Sequence, residues 1–141
     1  MNKFRFRPNI LPGTFSFLIG NYDAAEARAY LDCYGIKDTG NNVRDNPIGE
    51  CYARCYYPEE GYPVVWLSKA PHSPEDIGSM VHELEHAVMF QLNWLGITHN
   101  RETTEVYAYL LDRLTTGVLD IVWNQQFREG WTDANTFEMN H

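Results

Sequence analysis

The chain has 141 residues, enough for one domain with its own core and too few for two. A hydrophobic share of 44%, a third of it aromatic, excludes global disorder. The net charge of −8, from 19 acids against 11 bases, comes without the basic stripe that grips phosphate backbones, so nucleic acid is not an expected partner.

Residues 1–13, MNKFRFRPNILPG, carry bases with no continuous apolar run after them, which is not the pattern of a secretory leader. They read as an irregular arm ended by Pro12-Gly13. Residues 14–20, TFSFLIG, are rich in β-formers and predict a strand. Asp23 then caps a helix, DAAEARAYLDCYG, closed by Gly35, with Ala27, Tyr30, Leu31 and Tyr34 on one face. Residues 38–49 form a polar loop. Two β-like runs follow, 50–57 (ECYARCYY) and 63–69 (PVVWLSK), and the turn PEEGY between them predicts a hairpin.

Ser73-Pro74-Glu75-Asp76 is a helix start: a cap, a proline in the first turn, then acids at the positive end of the dipole. This helix runs to about Leu95, where Gly96 stops it. A second long helix begins after Asn100 or Thr103 and runs to about Gln126, and residues 128–141 form a polar tail. Strand, helix, hairpin, helix, helix predicts a single α+β domain over 1–141, a small and mostly antiparallel sheet on two long helices, with the arm and the tail flexible. Trp66, Trp94 and Trp123 are expected in the core. No stretch approaches the roughly 20 apolar residues of a membrane span. The odd count of three cysteines points to a reducing compartment, so a soluble, cytoplasmic protein is expected.

The first long helix carries the chemistry. Residues 81–88 read VHELEHAV. His82 and His86, at i and i+4, present two imidazoles on one helix face, a spacing that suits zinc. Glu83 projects about 100° round the helix. It is badly placed to be a third ligand but within reach of a metal-bound water, as a general base. The third ligand is expected from Glu105, early in the second helix, with small Ala108 on its face to let the helices approach. Glu102 is the fallback and His99 a weaker candidate. Asp112, seven after Glu105, could accept the free N–H of a ligating imidazole. Tyr109 is the first candidate to donate to the tetrahedral oxyanion, with His72 and Arg101 behind it. Iron, cobalt or nickel also suit such a ligand set, but the base and the open fourth position favour Zn2+ and hydrolysis.

HELEH followed by Glu105 in the string EVYAYL resembles the gluzincin metallopeptidases, whose third ligand is a glutamate on the following helix. The order VVWLSK, short Pro-containing loop, HELEH helix, EVYAYL helix is similar to small phage- and prophage-encoded zincin-like proteins over residues 49–122. The resemblance implies a minimal zincin-like fold and a zinc-dependent peptidase with His82, His86 and Glu105 as ligands and Glu83 as base. A protein or peptide substrate would lie extended along the hairpin strand before the helix. It implies limited processing of a phage or host protein in the host cytoplasm, or virion association. The alternatives are a zinc-binding structural or interaction protein of a phage particle with weak or lost activity, and a regulatory protease that cleaves a repressor. The chain departs from the pattern at Glu85, a charge between base and second histidine where uncharged residues are usual. It is expected to face solvent.

Overall fold

The computed structural model describes residues 2–8, 11–20, 29, 32–33, 52–58, 61–123 and 130–132. Five strands, β1 (Asn2–Phe6), β2 (Phe15–Ile19), β3 (Ala53–Tyr56), β4 (Val64–Leu67) and β5 (Gly130–Thr132), form one sheet in the order β3-β4-β2-β1-β5. Two helices, α1 (Pro74–Trp94) and α2 (Thr104–Trp123), pack with it. The α+β class and the two long helices are as the sequence predicts.

The sheet is mixed rather than mostly antiparallel. The β1–β2 and β3–β4 pairs are antiparallel, while β2–β4 and β1–β5 are parallel. The central parallel pair β2–β4 is buried at every position, as expected of strands covered on both faces. Along the sheet, Phe4 lies beside Phe17, Phe17 beside Val65, and Val65 beside Cys55. This row and its neighbours one pleat away face Met80, Leu84, Ala87 and Leu92 of α1 and Leu110, Leu114, Val118 and Ile121 of α2 in one core. Leu18, Val64 and Trp66 alternate with them and are buried on the opposite face, where the Trp66 indole N–H donates to the Gly20 carbonyl at 2.8 Å.

The arm is not irregular. In KFRFRP, Phe4, Phe6 and Pro8 are buried while Arg5 and Arg7 are exposed, the two-residue alternation of a half-buried strand. Phe4 stacks on Phe17 with ring centroids 4.8 Å apart. Part of the tail is also a strand, since Gly130–Thr132 pairs with β1. Gly13, at φ 132°, turns the chain into β2 against the Gln91 side chain, whose amide donates to the Pro12 carbonyl at 2.8 Å. Ala29, Asp32 and Cys33 are helical, and the rest of the expected 23–35 helix and the 38–49 loop lie outside the described residues.

α1 begins and ends where its caps predict and α2 begins after Thr103 as expected, while the expected end of α2 near Gln126 lies outside the described residues. The Ser73 hydroxyl accepts the Asp76 N–H at 3.1 Å, with Pro74 in the first turn. At the other end Gly96 takes φ 78°, and the Ile97 N–H returns to the Leu92 carbonyl at 2.8 Å. Before α2, the Asn100 carboxamide oxygen accepts from the N–H groups of Glu102 and Thr103, and Thr103 Oγ1 accepts the Asn100 N–H. The indoles of Trp94 and Trp123 are 58% and 59% exposed, so of the three tryptophans expected in the core only Trp66 is there. Trp94 is the last residue of α1, and Trp123, the last described residue of α2, places its N–H on the Pro71 carbonyl at 3.4 Å.

Candidate functional site

The core face of α1 is Met80, Leu84, Ala87, Val88, Gln91 and Leu92. At about 100° per residue, His82 and His86 fall on the opposite face, and both are exposed. Their Nε2 atoms are 3.2 Å apart, with the rings edge to face at 75°. Two nitrogens bound to one zinc at about 2.0–2.1 Å and separated by that distance subtend about 100–106° at the metal, close to tetrahedral. The same separation accommodates an N–H···N hydrogen bond between the rings. The separation thus matches two positions of a metal shell.

Glu83 lies a quarter-turn round the helix, toward β3. Its Oε2 accepts the backbone N–H of Cys55 at 2.8 Å. The reason is strand parity. The Tyr52 carbonyl accepts from Ser68 N–H across the hairpin at 2.7 Å, so the alternate residue Cys55 turns its amide away from β4 and toward α1. One carboxylate oxygen is thus fixed by the strand.

Two depressions flank the pair where α1 runs past β3. One, of about 510 Å³, is lined by Tyr52, Ala53, Glu75, Gly78, Ser79, His82 and Glu83. A side chain at Gly78 would meet only open space. The other, of about 450 Å³, lies at the His86 end between Tyr57, Met89, Phe90 and Tyr107, with Asn93, Thr98 and His99 on its rim. His99 stacks on Tyr107, ring centroids 4.2 Å apart.

Tyr57 is a site residue that the sequence reading missed. Its ring stacks on Phe90, one turn beyond His86, with centroids 4.8 Å apart. Burial, then the neighbouring Cys55 and Glu83, raises its pKa, so the phenol keeps its proton. Burial likewise raises the Cys55 thiol, which points into the core and is no nucleophile. The signal was present: Tyr57 stands two residues after Cys55, at the end of ECYARCYY. Its use required knowing which strand lies beside α1. On the far side, Tyr52 donates to the Lys69 carbonyl at 2.9 Å, and burial and Asp76 raise its pKa. Asp76 is held below its ordinary 3.8, chiefly by the His72 backbone N–H at 3.1 Å.

The expected third ligand is not beside this pair. Glu105 is exposed and lines a separate depression with Leu11, Val106 and Tyr109. Tyr109, 49% exposed, shares that depression and not the histidine face. Asp112 is exposed and accepts the Thr116 hydroxyl at 3.1 Å. Arg101 and Glu102 are exposed in the turn before α2. Among the described residues, no three His, Cys, Asp or Glu side chains converge to hold a metal ion. The cause is the rotation of α2 about its axis. Its buried stripe is Tyr107, Leu110, Leu114, Val118 and Ile121, and Glu105 lies about 160° round from Tyr107. Ala108 borders the cleft between the helices, opposite Glu85 and Val88. Glu105 is about 60° further round. Glu85 is exposed at the mouth of that cleft.

No helix among the described residues is long and apolar enough to cross a membrane. No protein-family model, curated protein or solved structure matches the chain.

Proposed function

We propose that the chain is a metal-dependent peptidase, with His82 and His86 as nitrogen ligands of a zinc ion and Glu83 as the general base. One observation carries this reading: two imidazole nitrogens 3.2 Å apart on an exposed helix face, next to a carboxylate anchored on a strand amide. A bound zinc would supply Lewis acidity toward a water and a carbonyl. The protein's own part is positional. Cys55 N–H fixes Glu83, so the free oxygen can take a proton from a water and return it to the leaving nitrogen. The flanking depressions offer room for an extended segment of a protein substrate on both sides of the histidines. Glu105 stands about 60° round α2 from Ala108, which itself faces Glu85 and Val88 rather than the histidines, so Glu105 supplies no ligand in this arrangement. Cys33 and Cys55 carry free thiols, which supports a reducing, cytoplasmic setting.

A second reading is favoured by the two-ligand geometry itself. Structural zinc takes a closed shell of four ligands, so with two histidines among the described residues a zinc-binding structural or interaction protein with weak or lost activity would draw the remaining ligands from a partner, and Glu83 would then serve to cover an outward strand amide. Metal analysis and hydrolysis of labelled casein separate the two. The peptidase reading expects about one zinc per chain, lost in His86→Ala, and cleavage abolished in Glu83→Gln with metal retained. Equal behaviour of wild type and Glu83→Gln in the casein assay sinks it.

A further inference from the structure

His82 and His86 supply two nitrogens, and tetrahedral zinc takes four ligands. Among the described residues no third His, Cys, Asp or Glu side chain converges on the pair. We propose that a second copy of this chain completes the shell with its own His82 and His86, so that one zinc ion bridges two α1 helices. This names the partner in the interaction reading above. It rests on the two histidines as ligands and not on hydrolysis.

Three observations point to a second copy. The first is the donor set. A copy related by a two-fold axis brings an identical pair, with the same 3.2 Å between its nitrogens. Each pair subtends about 100–106° at the metal, so two pairs set crosswise make a near-tetrahedral shell of four imidazoles. No further residue type is required. The second is access. Both rings are exposed on the face of α1 turned away from the core. The flank before them is low, because Gly78 and Ser79 stand one turn ahead of His82 and a side chain at Gly78 would meet only open space. A helix of a second copy can come to metal distance over that flank.

The third is charge. Glu83 and Glu85 stand on either side of the histidine pair. Two facing copies therefore bring four carboxylates together, on chains that each carry a net charge of −8. Neutral imidazoles leave the ion its full double positive charge, which offsets this repulsion. Without the ion the same acids hold the copies apart, since like charges facing each other across a contact oppose it. Association is thus conditional on the metal.

The test follows the mass of the full chain by sedimentation velocity in chelator-treated buffer as zinc chloride is added. The mass should double from 16.4 kDa, with the dimer most abundant at about one zinc per two chains. At a large excess of zinc it should fall back toward one chain, because each pair then takes its own ion. His82→Ala and His86→Ala should remain single chains throughout, with unchanged circular dichroism, since both positions are exposed. Doubling that survives either variant, or that occurs in chelator, overturns the proposal, because the contact then lies elsewhere. So does a wild type that binds one zinc per chain by calorimetry and never doubles; the histidines then stay ligands and the shell closes without a second copy. A wild type that takes up no zinc at all removes the ligand reading itself, and the bridge with it.

Discussion

The metal assignment makes its sharpest prediction in thermal stability rather than activity. A ligand that binds only the folded chain stabilises it by RT ln(1 + [L]/Kd), about 2.7 kcal/mol at a hundredfold excess over Kd. For a chain of this size each kcal/mol moves the melting temperature by roughly 3–4 °C. Zinc at that excess should therefore raise the midpoint of the wild type by about 10 °C, read by circular dichroism or scanning calorimetry. The bite of about 100–106° set by the 3.2 Å separation needs both nitrogens, so His82→Ala and His86→Ala should each abolish the rise. Both side chains are exposed and outside the core, so in a chelator these variants should melt within about 2 °C of wild type, the usual range for surface substitutions. Glu105→Ala should leave the rise intact, because Glu105 stands on the outer face of α2. A rise that survives His86→Ala refutes the chelate. A rise lost in Glu105→Ala refutes the placement of Glu105 away from the histidines.

The Glu83 carboxylate should also matter to stability. Glu83→Ala strands the Cys55 N–H in a partly buried position, at a cost of about 1–3 kcal/mol, whereas Glu83→Gln keeps an acceptor and should cost clearly less. Urea titration of the two variants checks this, and equal losses would mean that the strand amide finds water instead. Phe4→Ala should cost about 3–5 kcal/mol, since the ring is fully buried and stacked on Phe17. A loss below about 1 kcal/mol would return residues 2–6 to the status of a loose arm. Asp76 has its pKa lowered in the folded chain, so its contribution is complete above the unfolded value of 3.8 and is lost as pH falls through the lowered one. The melting difference between wild type and Asp76→Asn should be flat above about pH 5 and close in more acid solution; a gap that widens with acid contradicts this sign.

Local signals in the chain were reliable wherever the deciding interaction is local. Ser73-Pro74 and Gly96 bound α1 because caps and left-handed glycines act within one turn. The i, i+4 histidines met for the same reason. The arm was read as irregular, yet the two-residue alternation of KFRFRP is a strand signal that needs only β2 to pair with. Parallel pairing of β2 with β4 joins residues more than 40 apart, and no local pattern encodes which distant strand is the neighbour.

By itself, then, the sequence determined the α+β class, the extent of α1, the start of α2 and the pairing of His82 with His86, all consequences of periodicity and capping. Only the tertiary structure decided what stands beside that pair. Strand parity at Tyr52 and Cys55 aimed an amide at Glu83 and brought Tyr57 to His86, and the apolar stripe from Tyr107 to Ile121 turned Glu105 outward. Spacing along a helix states which residues share its face. Which face meets which neighbour is settled by the burial of the whole stripe, whose combined hydrophobic gain outweighs that of any single ligand position.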